Sequence, residues 1–214
     1  MKELFSGVFI VEGKLSTRAS FPDYRPFSER VNKGFREWDP ERSKAAAAIM
    51  KGIKKFPILG GDKVLYLGIA HGYTASFLAD IIGTEGIIYG VEFSERCFNE
   101  LLPIAERYGN IVPMLADARF PEKYEGVEKV DIVYCDIADR QQTDIAIRNC
   151  KMYLKPNGFL MLAIKSRSID VTASPKKIIG QEIEKVKSSG LEVIDWCMLD
   201  PFEKDHAMVI AKMI

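Results

Sequence analysis

The sequence has no run approaching the ~20 apolar residues needed to cross a bilayer. Its opening, MKELFSGVFIVEGK, is interrupted by charge before a signal-peptide core can form. Neither membrane insertion nor secretion is expected. Cysteine is scarce: Cys97, Cys135, Cys150 and Cys197 lie far apart, form no C-x-x-C pair, and are accompanied by only two histidines. That donor supply argues against a structural metal site and points to a reduced, cytoplasmic protein. An excess of one charge is also missing, since 30 basic residues balance 30 acidic ones. A chain that gripped a polyanion unaided would be basic overall, so any hold on nucleic acid is expected to need a partner. The balance is uneven along the chain: residues 1–60 carry 12 Lys/Arg against 7 Asp/Glu, leaving 18 against 23, so the two parts are +5 and −5.

What is present is an ordinary globular composition, 47% hydrophobic and 28% charged, over 214 residues, enough for one sizeable core with a small appendage. The N-terminal stretches VFIV and KLST flank Glu12-Gly13 as strands would, while residues 19–36 mix aromatics, prolines and arginines without a period. Asp39-Pro40-Glu41 predicts a helix start, with Asp39 as cap and Pro40 at the first helical position, leading into ERSKAAAAIMKGIKK. From Phe56 the pattern alternates. Strands are expected at 64–68, 87–93, 111–117, 130–136 and 159–165, and helices at 74–82, 95–107, 140–153 and 175–189, with KPNG as a turn. Such alternation means a parallel, doubly wound sheet. LEVIDWCML and HAMVIAKM, separated by a short loop, instead predict a closing antiparallel hairpin. The expected division is a small β-rich part with a linking helix over 1–55 and an α/β part over 56–214.

Gly68-Ile-Ala70-His-Gly72-Tyr73-Thr74 lies between strand and helix, where glycine lets the backbone approach a ligand. It departs from G-x-G-x-x-G, so a nicotinamide dinucleotide is a poor match. Glu92, Asp117 and Asp136 close successive strands. Three acids there would repel a pyrophosphate but suit an adenosine joined to a cation, as in S-adenosylmethionine. Any one acid alone reads more readily as a solvated strand-end or capping residue, whereas the three together in register favour the cofactor. Lys165 ends an otherwise apolar strand and puts an amine at the same edge, a position a snorkelling lysine also takes. His206, in the final hairpin loop, reads by itself as a surface imidazole. Arg18, Arg25, Arg30, Arg36 and Arg42 are candidate phosphate contacts or plain surface arginines.

Taken in order, the stretch from Arg36 to Lys44 (REWDPERSK), VLYLGIAHGYTAS, VEFS at 91–94, Asp117-Ala118, KSRSID and EKDHA resemble the archaeal fibrillarin-like RNA 2′-O-methyltransferases. The resemblance covers nearly the whole chain. It implies a class I methyltransferase, with a Rossmann-like, mostly parallel sheet, a C-terminal antiparallel hairpin and a small N-terminal β-rich domain. It further implies S-adenosylmethionine-dependent 2′-O-methylation of rRNA and tRNA ribose, with a catalytic set of Lys44, Asp136, Lys165 and His206. Cofactor contacts would fall on Gly68, Ala70, Gly72, Tyr73, Thr74, Glu92, Phe93, Asp117, Ala118, Asp136, Ile137, Ala138, Asp139 and Gln142, with no metal. The implied partners are a Nop-family scaffold protein, a kink-turn-binding ribosomal-type protein, a box C/D guide RNA and its target RNA. His71, Tyr73, Cys135 and Asp139 depart from the residues more usual in the family. The competing readings are a class I methyltransferase for a small molecule or protein side chain, and a non-catalytic assembly subunit.

Lys165 is expected to steer or deprotonate the ribose hydroxyl, with Lys44 as the second cation that lowers its pKa.

Overall fold

A computed structural model describes residues 1–124 and 126–214. Among these, the strands form two sheets. The smaller is an antiparallel sheet of β1 (Lys2–Phe5), β2 (Val8–Val11), β3 (Lys14–Arg18), β4 (Val31–Asn32) and β5 (Phe35–Glu37), in the order β1-β2-β3-β5-β4. Part of the stretch expected to be irregular thus joins the sheet. β4 and β5 turn through Lys33-Gly34, both at positive φ, which suits the twist of a two-residue hairpin. Their strands are too short to show a period.

Helix α1 (Lys44–Met50) starts later than Asp39. Asp39 instead holds a local turn through Glu41 N–H (2.9 Å) and Arg42 N–H (3.2 Å), and Ser43 caps the helix by accepting from Ala46 N–H. Gly52, at φ 81°, follows its end, so the helix stops well before Lys55. The alanines expected to favour a helix do more than that. Ala45 to Ala48 are all buried, and their small side chains let α1 lie close against the neighbouring layers.

The rest of the chain follows the alternation: β6 (Lys63–Leu67), α2 (Tyr73–Ile82), β7 (Ile87–Glu92), α3 (Glu95–Tyr108), β8 (Ile111–Leu115), β9 (Val130–Cys135), α4 (Gln142–Tyr153), β10 (Leu154–Lys165), α5 (Ser166–Ile169), α6 (Pro175–Ser188), β11 (Leu191–Met198) and β12 (His206–Met213). The KPNG segment is not a free turn but an excursion within β10. Pairing with β9 breaks between Leu154 and Phe159, and Asn157 sits at φ 64°. The sheet order is β11-β12-β10-β9-β6-β7-β8. The strands from β10 to β8 run parallel, and β12 pairs antiparallel with both β10 and β11. This is the doubly wound, Rossmann-like architecture with its closing hairpin.

Alternation along the strands sorts side chains between two cores. Val64 and Tyr66 of β6 enter a layer with α1, α2, α3 and the small sheet, whereas Leu65 and Leu67 face the α4 and α6 side. Val8 and Leu15 of the small sheet share the first of these cores. The chain runs outward through β6, β7 and β8 and then returns to β9 on the other side of β6. The switch point therefore lies between the carboxyl ends of β6 and β9, where open α/β sheets form a crevice.

Candidate active site

Several elements that meet at this edge deliver polar groups. Glu92 closes β7, Asp136 follows β9 and Lys165 closes β10, while Lys44 opens α1 and His206 opens antiparallel β12. His206 is therefore not loose in a loop: it is paired in register with Lys165 across the β10–β12 ladder.

A cleft of about 330 Å³ lies over the switch point. It is lined by Gly68, Ala70, Glu92, Phe93, Asp117, Ala118, Asp136, Ile137, Ala138, Asp139 and Lys165 from the expected set, together with Val91, Ala116, Arg119 and Ile145. Gly68 is at φ 76°, and a Cβ there would stand 2.9 Å from Ile137 and 3.0 Å from the Asp136 carbonyl. Only glycine lets the loops after β6 and β9 meet this closely. The buried Glu92 carboxylate accepts Ala70 N–H (3.0 Å) on one oxygen and Ser94 N–H (2.9 Å) on the other, fixing its direction and the loop's together. Asp117 is gripped by the Arg119 side chain, with its two carboxylate oxygens 2.7–3.1 Å from Nε and Nη2. Those hydrogen bonds hold the Asp117 carboxyl below the usual range against a smaller opposing effect of burial. Phe93 stands largely exposed at the mouth.

Four of the expected contacts turn elsewhere. Gly72 is buried against Leu101 of α3, 2.6 Å from where its Cβ would lie. The side chain of Tyr73 lines a separate cavity with Phe27 and Arg42, and its hydroxyl accepts Asp39 N–H. The Thr74 hydroxyl donates to Ser43 Oγ (2.9 Å), tying α2 to the cap of α1. Gln142 is wholly buried. Its amide nitrogen donates to the carbonyls of Asp139 (2.9 Å) and Lys165 (3.2 Å), and its oxygen accepts Lys165 N–H (2.8 Å). It is a clamp behind the site, fixing the backbone that carries Lys165. His71, also in the loop, is turned outward onto Glu100 at 2.8 Å.

Lys44, Asp136 and Lys165 do come together. One Asp136 oxygen lies 2.9 Å from Lys165 Nζ and 3.3 Å from Lys44 Nζ, and Lys165 Nζ also donates to the Asp136 main-chain carbonyl at 2.8 Å. Lys44 is therefore not a bare second cation facing Lys165, because Asp136 stands between them. Burial lowers the Lys44 pKa, but attraction to Asp136 and Glu203 outweighs it, so the net direction is up and Lys44 is held charged. Glu203 is the member the sequence reading leaves without a role, at 3.4 Å from Lys44 and 3.9 Å from His206 Nδ1. Its place beside His206 in EKDH was the only available signal.

Arg36 is likewise not a surface arginine. It is fully buried where the small sheet meets α2 and α3, paired with Glu29 (2.6 Å) and Asp80 (2.7 Å), and also bonded to Ser76 and Tyr108.

Against known proteins, the family model described as Fibrillarin matches residues 1–214. The chain belongs to the fibrillarin family. It is 52% identical over 204 residues to a fibrillarin-like rRNA/tRNA 2′-O-methyltransferase of Saccharolobus solfataricus, covering 93% of this chain and 88% of that one. Among solved structures, it resembles Aeropyrum pernix fibrillarin in complex with natively bound S-adenosyl-L-methionine, with a TM-score of 0.87 and 45% identity over 95% of this chain and 92% of that one. It also resembles the fibrillarin of a fibrillarin/Nop5p complex, with a TM-score of 0.94 and 39% identity over the full length of both. Within this family fold, the cleft and the lysine–aspartate cluster adjoin through Asp136 and Lys165, which belong to both.

Proposed function

We propose that this chain is an S-adenosylmethionine-dependent methyltransferase that modifies the ribose 2′-hydroxyl of rRNA and tRNA. The observation that carries the reading is Lys165, whose amine stands at the cleft wall, donating to the Asp136 carbonyl at 2.8 Å and ion-paired with the Asp136 carboxylate at 2.9 Å.

The cleft suits the cofactor. Glu92 and Asp117 offer carboxylates for hydroxyl and amine donors, Phe93 offers an apolar face, and Gly68 leaves backbone open to close approach. Ala118 and the segment Asp136, Ile137, Ala138 and Asp139 complete the walls. When bound, S-adenosylmethionine supplies a methyl group already activated on a sulfonium, so the protein has to align the acceptor and manage one proton.

Lys165 serves that proton. One N–H donates to the Asp136 carbonyl, and the Asp136 carboxylate stands 2.9 Å away as an ion pair without hydrogen-bond alignment. A further direction of Nζ is a lone pair in the amine and an N–H in the ammonium, so one geometry can accept the 2′-oxygen's proton and then hold it. Asp136 fixes this orientation and Gln142 fixes the backbone beneath. Lys44 balances Asp136 from the other side, and His206 closes the site next to Lys165. In this reading residues 56–214 hold the cofactor and residues 1–55 contribute Lys44.

The proposal includes assembly with a Nop-family scaffold, a kink-turn-binding protein and a box C/D guide RNA that selects the target by base pairing. The zero net charge supports it, because such partners would supply the hold on RNA that the chain lacks. A cytoplasmic location also belongs to the proposal and is supported by four free thiols.

The test is transfer of labelled methyl to a target RNA in the assembled particle. Label on a 2′-hydroxyl target that disappears when the guide is omitted or the site is 2′-deoxy is the expected result. Undiminished label on the 2′-deoxy target would overturn the assignment of the acceptor atom.

A further inference from the structure

The catalytic cluster does not end at His206 or at Lys44. Read through space, it alternates in sign: Lys165, Asp136, Lys44, Glu203, then His206, with successive contacts of 2.9, 3.3, 3.4 and 3.9 Å. His206 is paired with Lys165 across the β10–β12 ladder, so the series closes on itself as a ring. Three links of that ring run through side chains of the expected set or through the ladder. The remaining two, from Lys44 onward and from His206 back, both depend on Glu203.

We infer that Glu203 is a positioning residue for the methyl transfer, holding Lys44 and His206 in register with the Lys165–Asp136 pair. The inference rests on the function proposed above. Glu203 does not line the cleft, so it acts through its two neighbours. It is itself anchored: its N–H donates to the Leu199 carbonyl at 3.2 Å, and its side chain is three-quarters covered. Its carboxylate shares Lys44 with Asp136. That division leaves Asp136 Oδ1 closer to Lys165 (2.9 Å) than to Lys44 (3.3 Å), the asymmetry that keeps the Lys165 amine oriented.

The second carboxylate oxygen lies on the Nδ1 side of His206. The ring N–H at Nδ1 donates to the Lys204 carbonyl at 2.7 Å, which leaves Nε2 as the nitrogen able to exchange a proton. The other charged groups around His206 are Lys165 across the ladder and its chain neighbours Lys204 and Asp205. Asp205 is already paired with Arg167 at 2.9 Å. Around Lys44, the facing carboxylates are Asp136 and Glu203.

The test compares wild type with Glu203→Gln, which keeps shape and removes charge, and with Glu203→Asp, which keeps charge. Single-turnover methyl transfer is followed in the assembled particle, with cofactor affinity and melting measured on the same preparations. For Glu203→Gln the expected result is a transfer rate lowered about tenfold, less than the roughly 10²–10⁴-fold of a group that itself moves the proton. Affinities for cofactor and RNA stay within about twofold, so the loss falls on the transfer step. Glu203→Asp recovers part of the rate. A Glu203→Gln enzyme with the wild-type rate would overturn the inference. So would equal losses in both variants that track a fall in melting temperature, since that pattern marks a structural residue. Failure of wild type itself to methylate the 2′-hydroxyl would instead strike the proposed function, so the two failures are distinguishable.

Discussion

Two networks in which cations stand between carboxylates do opposite work in this molecule. In the first, Arg36 is wholly enclosed where the small sheet meets α2. All three guanidinium nitrogens donate, to Glu29, Asp80, Ser76 and Tyr108, and Phe77 covers one face at 4.1 Å. In the second, Lys44 and Lys165 share Asp136 at the rim of a cleft, and each side chain keeps some exposure. The planar guanidinium can satisfy several fixed acceptors at once, which is what joining two layers requires. A lysine ammonium has three donors, and Lys165 commits one to the Asp136 carbonyl while its carboxylate partner leaves a direction free. Enclosure thus separates the roles more than residue type does: a cation with no free donor fastens the fold, and one with a free direction beside a cleft can exchange a proton.

The comparison breaks first at Arg36. Arg36→Ala strands Glu29 and Asp80 in a dry site and is expected to cost about 3–5 kcal/mol of unfolding free energy. Denaturant unfolding checks this, and a loss under about 1 kcal/mol, the range of an exposed pair, would mean the network is not a fastener. Gly68→Ala probes the boundary between fold and site. The positive φ and the approach to Asp136 predict strain of about 1–3 kcal/mol, with transfer falling well beyond what the lost folded fraction explains. Paired melting and rate measurements would expose the contrary case, a rate that falls only with stability.

Asp117→Ala should weaken cofactor binding about tenfold, near 1.4 kcal/mol, while stability stays within about 0.5 kcal/mol because the Arg119 partner is exposed. Calorimetry with an unchanged affinity would remove Asp117 from the cofactor set. The smallest effect is a pH dependence. The pKa of Lys44 is raised on folding, so its contribution is complete below the ordinary lysine value of about 10.4 and fades as pH rises through the raised one. The stability gap between wild type and Lys44→Met should therefore narrow above that pH, and a gap that widened would reverse the assigned sign.

The two networks also differed in how far they could be read beforehand. The large sheet was legible because its strands are long apolar runs broken by helices, and strand ends announced Glu92, Asp117, Asp136 and Lys165. Short strands such as Val31–Asn32 carry no period, so the hairpin that holds Arg36 was hidden, and Arg36 read as a surface residue. Direction was harder still. Tyr73, Thr74 and Gln142 lie next to the site in sequence, but at a helix start successive side chains fan out by about 100°. All three side chains turn away from the cleft, toward Asp39, Ser43 and the backbone under Lys165. The contact of Lys44 with Asp136 depends on α1 meeting the sheet edge, a tertiary fact that only the family resemblance anticipated.

The most direct measurement is methyl transfer by Lys165→Ala in the assembled particle, with cofactor affinity and melting temperature taken on the same protein. The account predicts transfer reduced by about 10²–10⁴-fold, affinity within about threefold of wild type, corresponding to less than ~1 kcal/mol, and a nearly unchanged melting temperature, because Asp136 keeps Lys44 as partner. Transfer at the wild-type rate would contradict it, since the free direction on Lys165 would then have no part in the chemistry.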